Sequence, residues 1–407
     1  MNFSRPVCLV FTAICVAIAS NGIGDEPTVL RSRTDPALNY PIRVVEAEPF
    51  WRMPESKTPM IRDGLFLPVH RPLGALPAER LRLPTPDANG KLTGRVGRLN
   101  DGTIVAGHGA YLYWSRDEGA SWKGRFVQDL PHTEGPVNLR AFGVAANQIL
   151  IAHDLTSLPE IAVPDRQTFQ IGISCSVDLG ATWSSSGALT VPRPYTFLAG
   201  DGNHIVELSD GTLVAAFDAA NHRVTTFETG WLALAFLRSS DGGASWGDVT
   251  MIRDTAAEVG LLPLGGQRVL AACRGMSNPV IGGKTIQLRW SENGARTWSE
   301  PQQLTTVFGQ AHGDLARLPG DTIVAVYENR YPVSQSDIRA RISHDLGKTW
   351  EPKLYILADG VGYAGSVGLD DGTIVTVTGD GKVGGGKPAG RGYTLQAIRW
   401  KPAPRAK

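Results

Sequence analysis

The chain has 407 residues and a formal net charge of +1, with 42% hydrophobic and 19% charged residues. This apolar content supports a large buried core and excludes a chain that stays disordered because of its composition. The balanced charge, without a basic run, gives no support for nucleic acid or a membrane surface as a partner. The 47 glycines and 27 prolines therefore indicate many turns between short elements.

The first 19 residues have the features of a secretory signal peptide. Arg5 supplies a positive charge, and residues 7–19 form an apolar stretch too short to span a bilayer. The stretch ends in Ala-Ile-Ala, which has small residues where a signal peptidase cleaves. We therefore expect a secreted or periplasmic protein with no membrane span in the mature chain.

Residues 20–91 are predicted to form a mostly irregular N-terminal segment, rich in Pro and Arg between residues 50 and 90. Residues 42–45 are the short strand that we expect to supply the missing outer strand of the last repeat described below. Beyond the signal peptide only two cysteines remain, Cys175 and Cys273. They fall in different repeats, so we expect two buried thiols and no disulfide.

From residue 92 to residue 407 the chain repeats one unit six times. Each unit has an apolar strand, a turn such as Asp-Gly-Thr and a second apolar strand, which is a hairpin pattern. The six hairpins are residues 97–107, 144–154, 206–218, 261–274, 316–330 and 367–380. A third strand follows, for example at residues 171–175, 231–237, 286–290, 338–342 and 393–400.

Five units then contain the pattern Ser-x-Asp-x-Gly-x-Ser/Thr-Trp, starting at Ser115, Ser176, Ser239, Ser291 and Ser343. The starts are 61, 63, 52 and 52 residues apart, and the fourth copy has Asn293 and Ala295 in place of the Asp and the Gly. In a tight turn the Asp accepts backbone N–H groups, the Gly takes a positive φ, and the Trp fills the space between neighbouring sheets.

A fourth strand is expected after each Trp. Four short antiparallel strands repeated six times predict an all-β protein, a six-bladed β-propeller. The Asp-Gly and Trp turns then lie at one end of the sheets. The other end, where first strands begin and second strands finish, is called the site end below. It is where a propeller would bind a ligand, and its polar residues are Arg95, His108, His153, Asp154, His204, Asp218, Glu258, Arg274, His312, Asp314, Glu328, Arg330 and Tyr363.

The Trp patterns resemble the Asp-box repeats of the sialidase superfamily, over roughly residues 92–400. The resemblance implies a six-bladed propeller that releases a terminal acidic sugar with retention of configuration. It implies that Tyr363 is the nucleophile and Glu258 its base, since the segments YAGSVGLDDGT and EVGLLPLGGQRVLAACR look like the family's. It further implies that three arginines from different blades, Arg95, Arg274 and Arg330, hold the sugar carboxylate. The alternative is that each arginine pairs with a local carboxylate, such as Glu328 beside Arg330.

The family's acid/base Asp follows the second strand of the first blade, but that loop here is only His-Gly-Ala-Tyr. His108 in this loop, and Asp154 at the same place in the next unit, are therefore the candidates for proton donor. His204, His312 and Asp314 are candidates for contacts with sugar hydroxyls, and the last two are alternatively caps of a strand. No two histidines have ligand spacing such as His-x-His, so we predict no metal and no cofactor.

Two alternatives remain open beside a sialidase-like hydrolase. One is a propeller that binds acidic glycans without cleaving them, which the short loop at His108 supports. The other is a hydrolase or lyase for a uronic-type glycan that works through its histidines. All three hypotheses predict a carbohydrate partner and, most simply, a monomer.

Overall fold

The computed structural model describes residues 29–47, 71–84, 94–134, 137, 139–155, 161–163, 166–168, 170–190, 195, 197–199, 203–220, 232–253, 257–275, 285–305, 309–330, 336–360, 362–379 and 395–404. The predicted signal peptide lies outside these residues. Within them the secondary structure is 30 strands and one 3-10 turn at Pro36–Leu38, which confirms the all-β prediction. None of the described residues belongs to a helix that is long and apolar enough to cross a membrane.

The N-terminal strands are β1 (Leu30–Arg31), β2 (Ile42–Glu46), β3 (Pro72–Leu76) and β4 (Ala78–Leu83). The first half of the repeats contains β5 (Arg95–Arg98), β6 (Ile104–His108), β7 (Tyr111–Ser115), β8 (Lys123–Phe126), β9 (Leu139–Ala145), β10 (Gln148–Leu155), β11 (Ile161–Val163), β12 (Arg166–Thr168), β13 (Gln170–Ser176), β14 (Ser184–Ala188), β15 (Phe197–Ala199), β16 (Asn203–Glu207), β17 (Leu213–Ala220), β18 (Leu232–Ser239) and β19 (Gly247–Ile252). The second half contains β20 (Ala257–Gly265), β21 (Arg268–Gly275), β22 (Thr285–Ser291), β23 (Gln302–Gln303), β24 (Gln310–Arg317), β25 (Ile323–Asn329), β26 (Asp337–Ser343), β27 (Lys353–Asp359), β28 (Gly365–Gly368), β29 (Ile374–Gly379) and β30 (Leu395–Trp400).

Strand pairing groups these strands into four-stranded antiparallel units. In order from first to fourth strand, they are unit one (β5, β6, β7, β8), unit two (β9, β10, β13, β14), unit three (β16, β17, β18, β19), unit four (β20, β21, β22, β23), unit five (β24, β25, β26, β27) and unit six (β28, β29, β30, β4). The predicted third strands are confirmed within a few residues.

The first strands of successive units lie next to one another. β5 contacts β9, β9 pairs in parallel with β16, and β16, β20, β24 and β28 follow in turn. β28 also contacts β5. The molecule therefore has a propeller-like arrangement in which the first strands share the centre and the fourth strands lie outside.

An N-terminal strand completes unit six, as predicted, but the choice of residues 42–45 for it was wrong. β2, at residues 42–46, pairs with β27 of unit five, whereas β4 pairs with β30 from Leu83↔Leu395 to Ala78↔Trp400. The strand β4 was not predicted from the sequence because two of its six residues are arginines, which are not typical of a buried strand. Arg80 is nevertheless buried, because its guanidinium donates to the carbonyls of Tyr40 and Leu357 and to the Gln396 amide oxygen.

The Trp of each Asp-box turn packs between neighbouring units, as predicted. Trp122 lies in a cluster with Ile104 of unit one and Val375 of unit six, and Trp350 packs against Leu270 of unit four. Such contacts remove large aromatic surfaces from water. Of the two thiols, Cys273 is buried as expected, but Cys175 is only half-buried; neither forms a disulfide.

The turns themselves have the predicted hydrogen bonds. In the first copy the Asp117 carboxylate accepts the N–H and hydroxyl of Ser121, and Gly119 has a φ of +85°. The decayed fourth copy keeps the same turn, since Asn293 accepts from the Thr297 N–H and Ala295 takes a φ of +64°. The local geometry therefore survives the two substitutions.

Candidate functional site

Three residues at the site end have a left-handed backbone. Each lies near the start of the first strand in units four, five and six, and their φ values are +55° for Glu258, +49° for His312 and +48° for Tyr363. Left-handed backbone is unfavourable for residues other than glycine, and such residues often occur at functional sites. Units four, five and six therefore each place one polar side chain at the site end, from an equivalent position with a strained backbone.

Two of these side chains form a hydrogen-bonded pair. The Tyr363 hydroxyl donates to Glu258 Oε1 at 2.9 Å, and Arg274 Nη1 donates to the same oxygen. Burial alone would raise the pKa of Glu258, but Arg274 and Arg330 outweigh burial and hold it below its usual value. Burial and the charges of Glu258 and Glu328 raise the pKa of Tyr363 well above its usual value. The pair is thus a neutral phenol donating to a carboxylate.

Carboxylates from the preceding units hold the backbone of both partners. Glu328 Oε1 accepts the N–H groups of Gly362 at 2.8 Å and Tyr363 at 2.5 Å. Asp218 Oδ1 accepts the N–H of Glu258 at 3.3 Å. Asp218 and Glu328 occupy the same place in units three and five, five residues into the second strand, opposite the third strand. Tyr363 and Glu258 are therefore held by the same kind of contact, in which a carboxylate of the preceding unit accepts their backbone N–H.

Arg330 contacts both Glu328, which holds the Tyr363 backbone, and the ring of Tyr363 in the Tyr363–Glu258 pair. Its Nε and Nη2 both lie 2.5 Å from Glu328 Oε2, and its guanidinium carbon is 5.5 Å from the centre of the Tyr363 ring. The Arg330 side chain is 29% exposed, so it can meet a ligand. Arg274 is 10% exposed, and its buried Nε has no hydrogen-bond partner among the described residues. These two arginines flank the pair as the sequence predicted.

Arg95 differs from that prediction. It is fully buried, and its Nη1 donates to Asp314 Oδ1 at 2.6 Å and to the Gly313 carbonyl at 3.0 Å. Asp314 is equally buried, and its other oxygen accepts the N–H of Ser366 at 2.8 Å. Asp314 therefore caps a strand of the next unit and neutralises Arg95, which was the other interpretation of its sequence context. The predicted arginine triad is reduced to two arginines that a ligand can reach.

His312 lies against the catalytic candidate. Its ring centre is 4.2 Å from that of Tyr363 at a tilt of 44°, and it is fully buried. Neither ring nitrogen makes a well-aligned hydrogen bond to another described residue, although the Gly94 backbone lies close enough to favour the protonated ring. Burial, with the charges of Arg95 and Arg330, holds the pKa of His312 well below its usual value. Its full burial keeps His312, like Arg95, out of reach of a ligand, so the ring supports Tyr363 through packing.

The other two predicted histidines bond to the backbone. His204 Nδ1 accepts the N–H of Leu261 at 3.2 Å, and His108 Nε2 lies 3.4 Å from the Gly362 carbonyl. Burial lowers the pKa of His204 to about 3, helped by Arg95, and that of His108 to about 4. Both are therefore neutral at pH 7, and both carry structural contacts.

Asp154 is held by a second ion pair. Its two carboxylate oxygens accept from Nε and Nη2 of Arg140 at 2.8 and 2.7 Å. Arg140 was not singled out in the sequence, because a lone Arg within a strand carries no pattern. Its position two residues into the first strand, beside the site end, is the signal that could have found it. Among the described residues no His, Cys, Asp and Glu side chains are grouped as metal ligands.

Residues 158–376 match the family model of the BNR repeat-like domain. The chain belongs to the BNR repeat-like family. No curated protein sequence matches this BNR-repeat chain.

Solved structures similar to this BNR-repeat protein include sialidases. A protein of unknown function from Dyadobacter fermentans has a TM-score of 0.58 at 16% identity, covering 79% of this chain and 98% of its own. The Hadza microbial sialidase Hz136 has a TM-score of 0.56 at 15% identity, and the match covers 92% of this chain and 92% of its own. The NanB sialidase from Streptococcus pneumoniae has a TM-score of 0.52 at 10% identity, and the match covers 79% of this chain and 70% of its own. The resemblance to the sialidase superfamily is thus confirmed at the level of the fold.

Proposed function

We propose that this BNR-repeat protein is a glycoside hydrolase that releases a terminal acidic sugar of the sialic-acid type with retention of configuration. We also infer that its six units are the blades of a closed six-bladed propeller. The observation that carries the activity is the 2.9 Å hydrogen bond from the Tyr363 hydroxyl to Glu258, between Arg274 and Arg330. A phenol positioned on a carboxylate is an activated nucleophile.

The reaction proceeds in two steps. Glu258 takes the phenolic proton while Tyr363 Oη forms a bond to the anomeric carbon, and the bond to the leaving oxygen breaks with its electron pair. The leaving oxygen takes up a proton from solvent. Water then attacks the same carbon and releases a proton to solvent, while the Tyr363 oxygen leaves and takes back the proton held by Glu258. Two displacements retain the configuration.

The arginines orient the substrate. Arg330 and Arg274 already contact carboxylates, but a guanidinium has five N–H donors and can bind a second anion. A neutral phenol meets less repulsion from the sugar carboxylate than a carboxylate nucleophile would. Two arginines are expected to bind an acidic sugar more weakly than three.

The proton donor to the leaving group is not assigned to Asp154 or His108. Both oxygens of Asp154 face Arg140, and burial holds the pKa of His108 near 4. These observations favour the second candidate function, a propeller that binds acidic glycans without cleaving them. The low pKa of the buried histidines disfavours a mechanism that works through His108.

The experiment uses 4-methylumbelliferyl sialoside and glucuronide, whose acidic leaving group needs little help from a proton donor. Tyr363→Phe is expected to lower kcat by at least about 10³-fold while the unfolding temperature stays within a few degrees. Tyr355→Phe is the matched control, because it removes a phenol that contacts Glu351 in unit five. Full activity of Tyr363→Phe would refute the mechanism, and a sugar that binds but stays intact would support the binding function.

We further propose that residues 1–19 direct secretion of this protein. The expected result is a mature N-terminus at residue 20 in the secreted fraction, measured by mass spectrometry. Retention of residues 1–19 in that fraction would contradict it.

A further inference from the structure

A second cavity lies away from Tyr363, between units four and five. Its volume is about 250 Å³. Beside it the outer strand of unit four, β23, has two residues, whereas the outer strand of unit five, β27, has seven. The polar walls of the cavity are formed by Gln303, Gln310, Tyr327, Arg341, Lys348 and Trp350.

Four of these wall residues carry a buried polar atom with no hydrogen-bond partner among the described residues. They are Oε1 of Gln303, Oε1 of Gln310, Nε of Arg341 and Nε1 of Trp350. Gln310 is 1% exposed, and its Nε2 is already bonded to Asn329 at 2.8 Å. Buried polar groups without partners are rare because each costs free energy. Four around one cavity show that its walls carry polar groups whose hydrogen bonds are incomplete.

The cavity has an excess of positive charge. Among the described residues that line it there is no Asp or Glu. Arg341 donates to the carbonyls of Leu304 at 2.6 Å and Glu351 at 3.5 Å, and no described carboxylate forms an ion pair with it or with Lys348. The third wall cation, Arg339, is neutralised by Asp337 at 2.6 Å. An uncompensated guanidinium and ammonium favour an anionic occupant.

We propose that this cavity is a second, non-catalytic binding site for one acidic sugar residue of a glycan. The part of the Trp350 ring that stays exposed beside its packing contacts offers an apolar edge, and the two glutamine side chains offer amide groups for the sugar hydroxyls. Arg341 and Lys348 bind the carboxylate. At about 30 Å³ per water the cavity would hold on the order of eight waters, which is room for one sugar ring.

The site shares no residue with the Tyr363–Glu258 pair, so it does not depend on the proposed hydrolysis. Its effect is to hold a glycan at a distance from the reacting bond. Linked sites raise the effective concentration of the second contact. Loss of this site is expected to weaken binding of long acidic glycans and to leave cleavage of a small aryl glycoside unchanged.

The test is calorimetric titration of the full chain with methyl β-D-glucuronide and its neutral counterpart methyl β-D-glucoside. All titrations use an Arg330→Gln background, which weakens the central site. We expect the glucuronide to bind at least about fivefold more tightly than the glucoside. Lys348→Gln and Gln303→Ala are each expected to raise the Kd of the glucuronide about fivefold or more. Lys401→Gln, at an exposed lysine paired with Asp371, is the matched control and is expected to change Kd less than twofold.

Three results would overturn the proposal. One is equal binding of the two glycosides. Another is glucuronide binding that survives both cavity substitutions. The last is binding of inorganic sulfate as tight as that of the glucuronide, which would indicate an anion site without recognition of the sugar. A failure of Tyr363→Phe to lose activity would refute the proposed hydrolysis and leave this result unaffected.

Discussion

The Tyr363 hydroxyl lies 2.9 Å from Glu258 Oε1, although 105 residues separate the two in the chain. Both residues have a left-handed backbone, and both are held through their backbone N–H by a carboxylate of the preceding unit. Strain of this kind persists only where the surroundings maintain it. The contacts that maintain it are therefore direct targets for mutation.

Glu328→Gln is expected to loosen Tyr363 and Arg330 together. The carboxylate accepts two backbone N–H groups and pairs with the guanidinium, so an amide would turn an N–H₂ toward a donor. Breaking a buried ion pair in this way costs about 3–5 kcal/mol. Urea unfolding measures this cost, and kcat is expected to fall more than KM changes.

Asp218→Asn is the matched variant in unit three. An asparagine Oδ1 can still accept the Glu258 N–H, so a cost of about 1 kcal/mol is expected. Equal costs for the two variants would contradict the role assigned to the Glu328–Arg330 pair.

Stability is expected to fall on mild acidification because of His153. This buried ring bonds to Ser174 Oγ at 2.7 Å and Thr133 Oγ1 at 3.0 Å, and burial lowers its pKa from 6.5 to about 4. Between pH 6.5 and pH 4 the unfolded chain binds a proton that the folded chain does not. The contribution of His153 is therefore complete above pH 6.5 and is lost as the pH falls through this window, at about 1.4 kcal/mol per pH unit. The lowered pKa values of His108, His204 and His312 add to the slope in the same direction.

His153→Gln removes the group that binds this proton in the unfolded chain. The variant is expected to have a slope of unfolding free energy against pH that is smaller by about 1.4 kcal/mol per pH unit. Urea unfolding at pH 7.5, 6, 5.5 and 5 measures the slope. An unchanged slope in the variant would show that His153 already binds a proton in the folded protein.

The Asp-box turns offer a test that is independent of activity. Asp241 accepts from Ser239 Oγ at 2.7 Å and from the N–H and hydroxyl of Ser245 at 2.9 and 2.5 Å. Asp241→Ala is expected to cost about 1–3 kcal/mol. Asp241→Asn is expected to cost less than about 1 kcal/mol, because Asn293 makes the equivalent bonds to Thr297 at 2.9 Å each. Urea unfolding at pH 7 compares the two, and equal costs would contradict the prediction.

Position 94 requires a glycine because its backbone lies too close to the backbone of Tyr363 for any side chain. A Cβ there would lie 1.4 Å from the Tyr363 carbonyl oxygen, and φ is +44°. Gly94→Ala is therefore expected to displace Tyr363 and to remove most activity as well as stability. Gly372→Ala is the control, since φ is +82° but no atom lies within 4 Å, and it is expected to cost about 1 kcal/mol with normal kcat. Thermal unfolding and aryl glycoside hydrolysis separate the two effects, and normal kcat in Gly94→Ala would contradict the argument.

Much of the candidate site could be predicted from the resemblance carried by the repeats. Glu258, Arg274, Arg330 and Tyr363 lie together as expected, because hairpins of the same register bring equivalent positions to one end. The supporting contacts could not be predicted in this way. Glu328 was considered only as a local partner of Arg330, whereas its bonds to Gly362 and Tyr363 cross from one unit to the next.

The sequence by itself determined the local structure of this protein. Alternating apolar runs, Asp-Gly turns and the Asp-box pattern act over a few residues, so they specify strands and turns without knowledge of the rest of the chain. The tertiary structure alone decided that β4 completes unit six, that Arg95 is enclosed with Asp314 and that Asp154 is held by Arg140. The first two depend on which units become neighbours, and the third depends on which side chains face each other within unit two. All three therefore rest on burial and pairing between residues that are distant or carry no local signal.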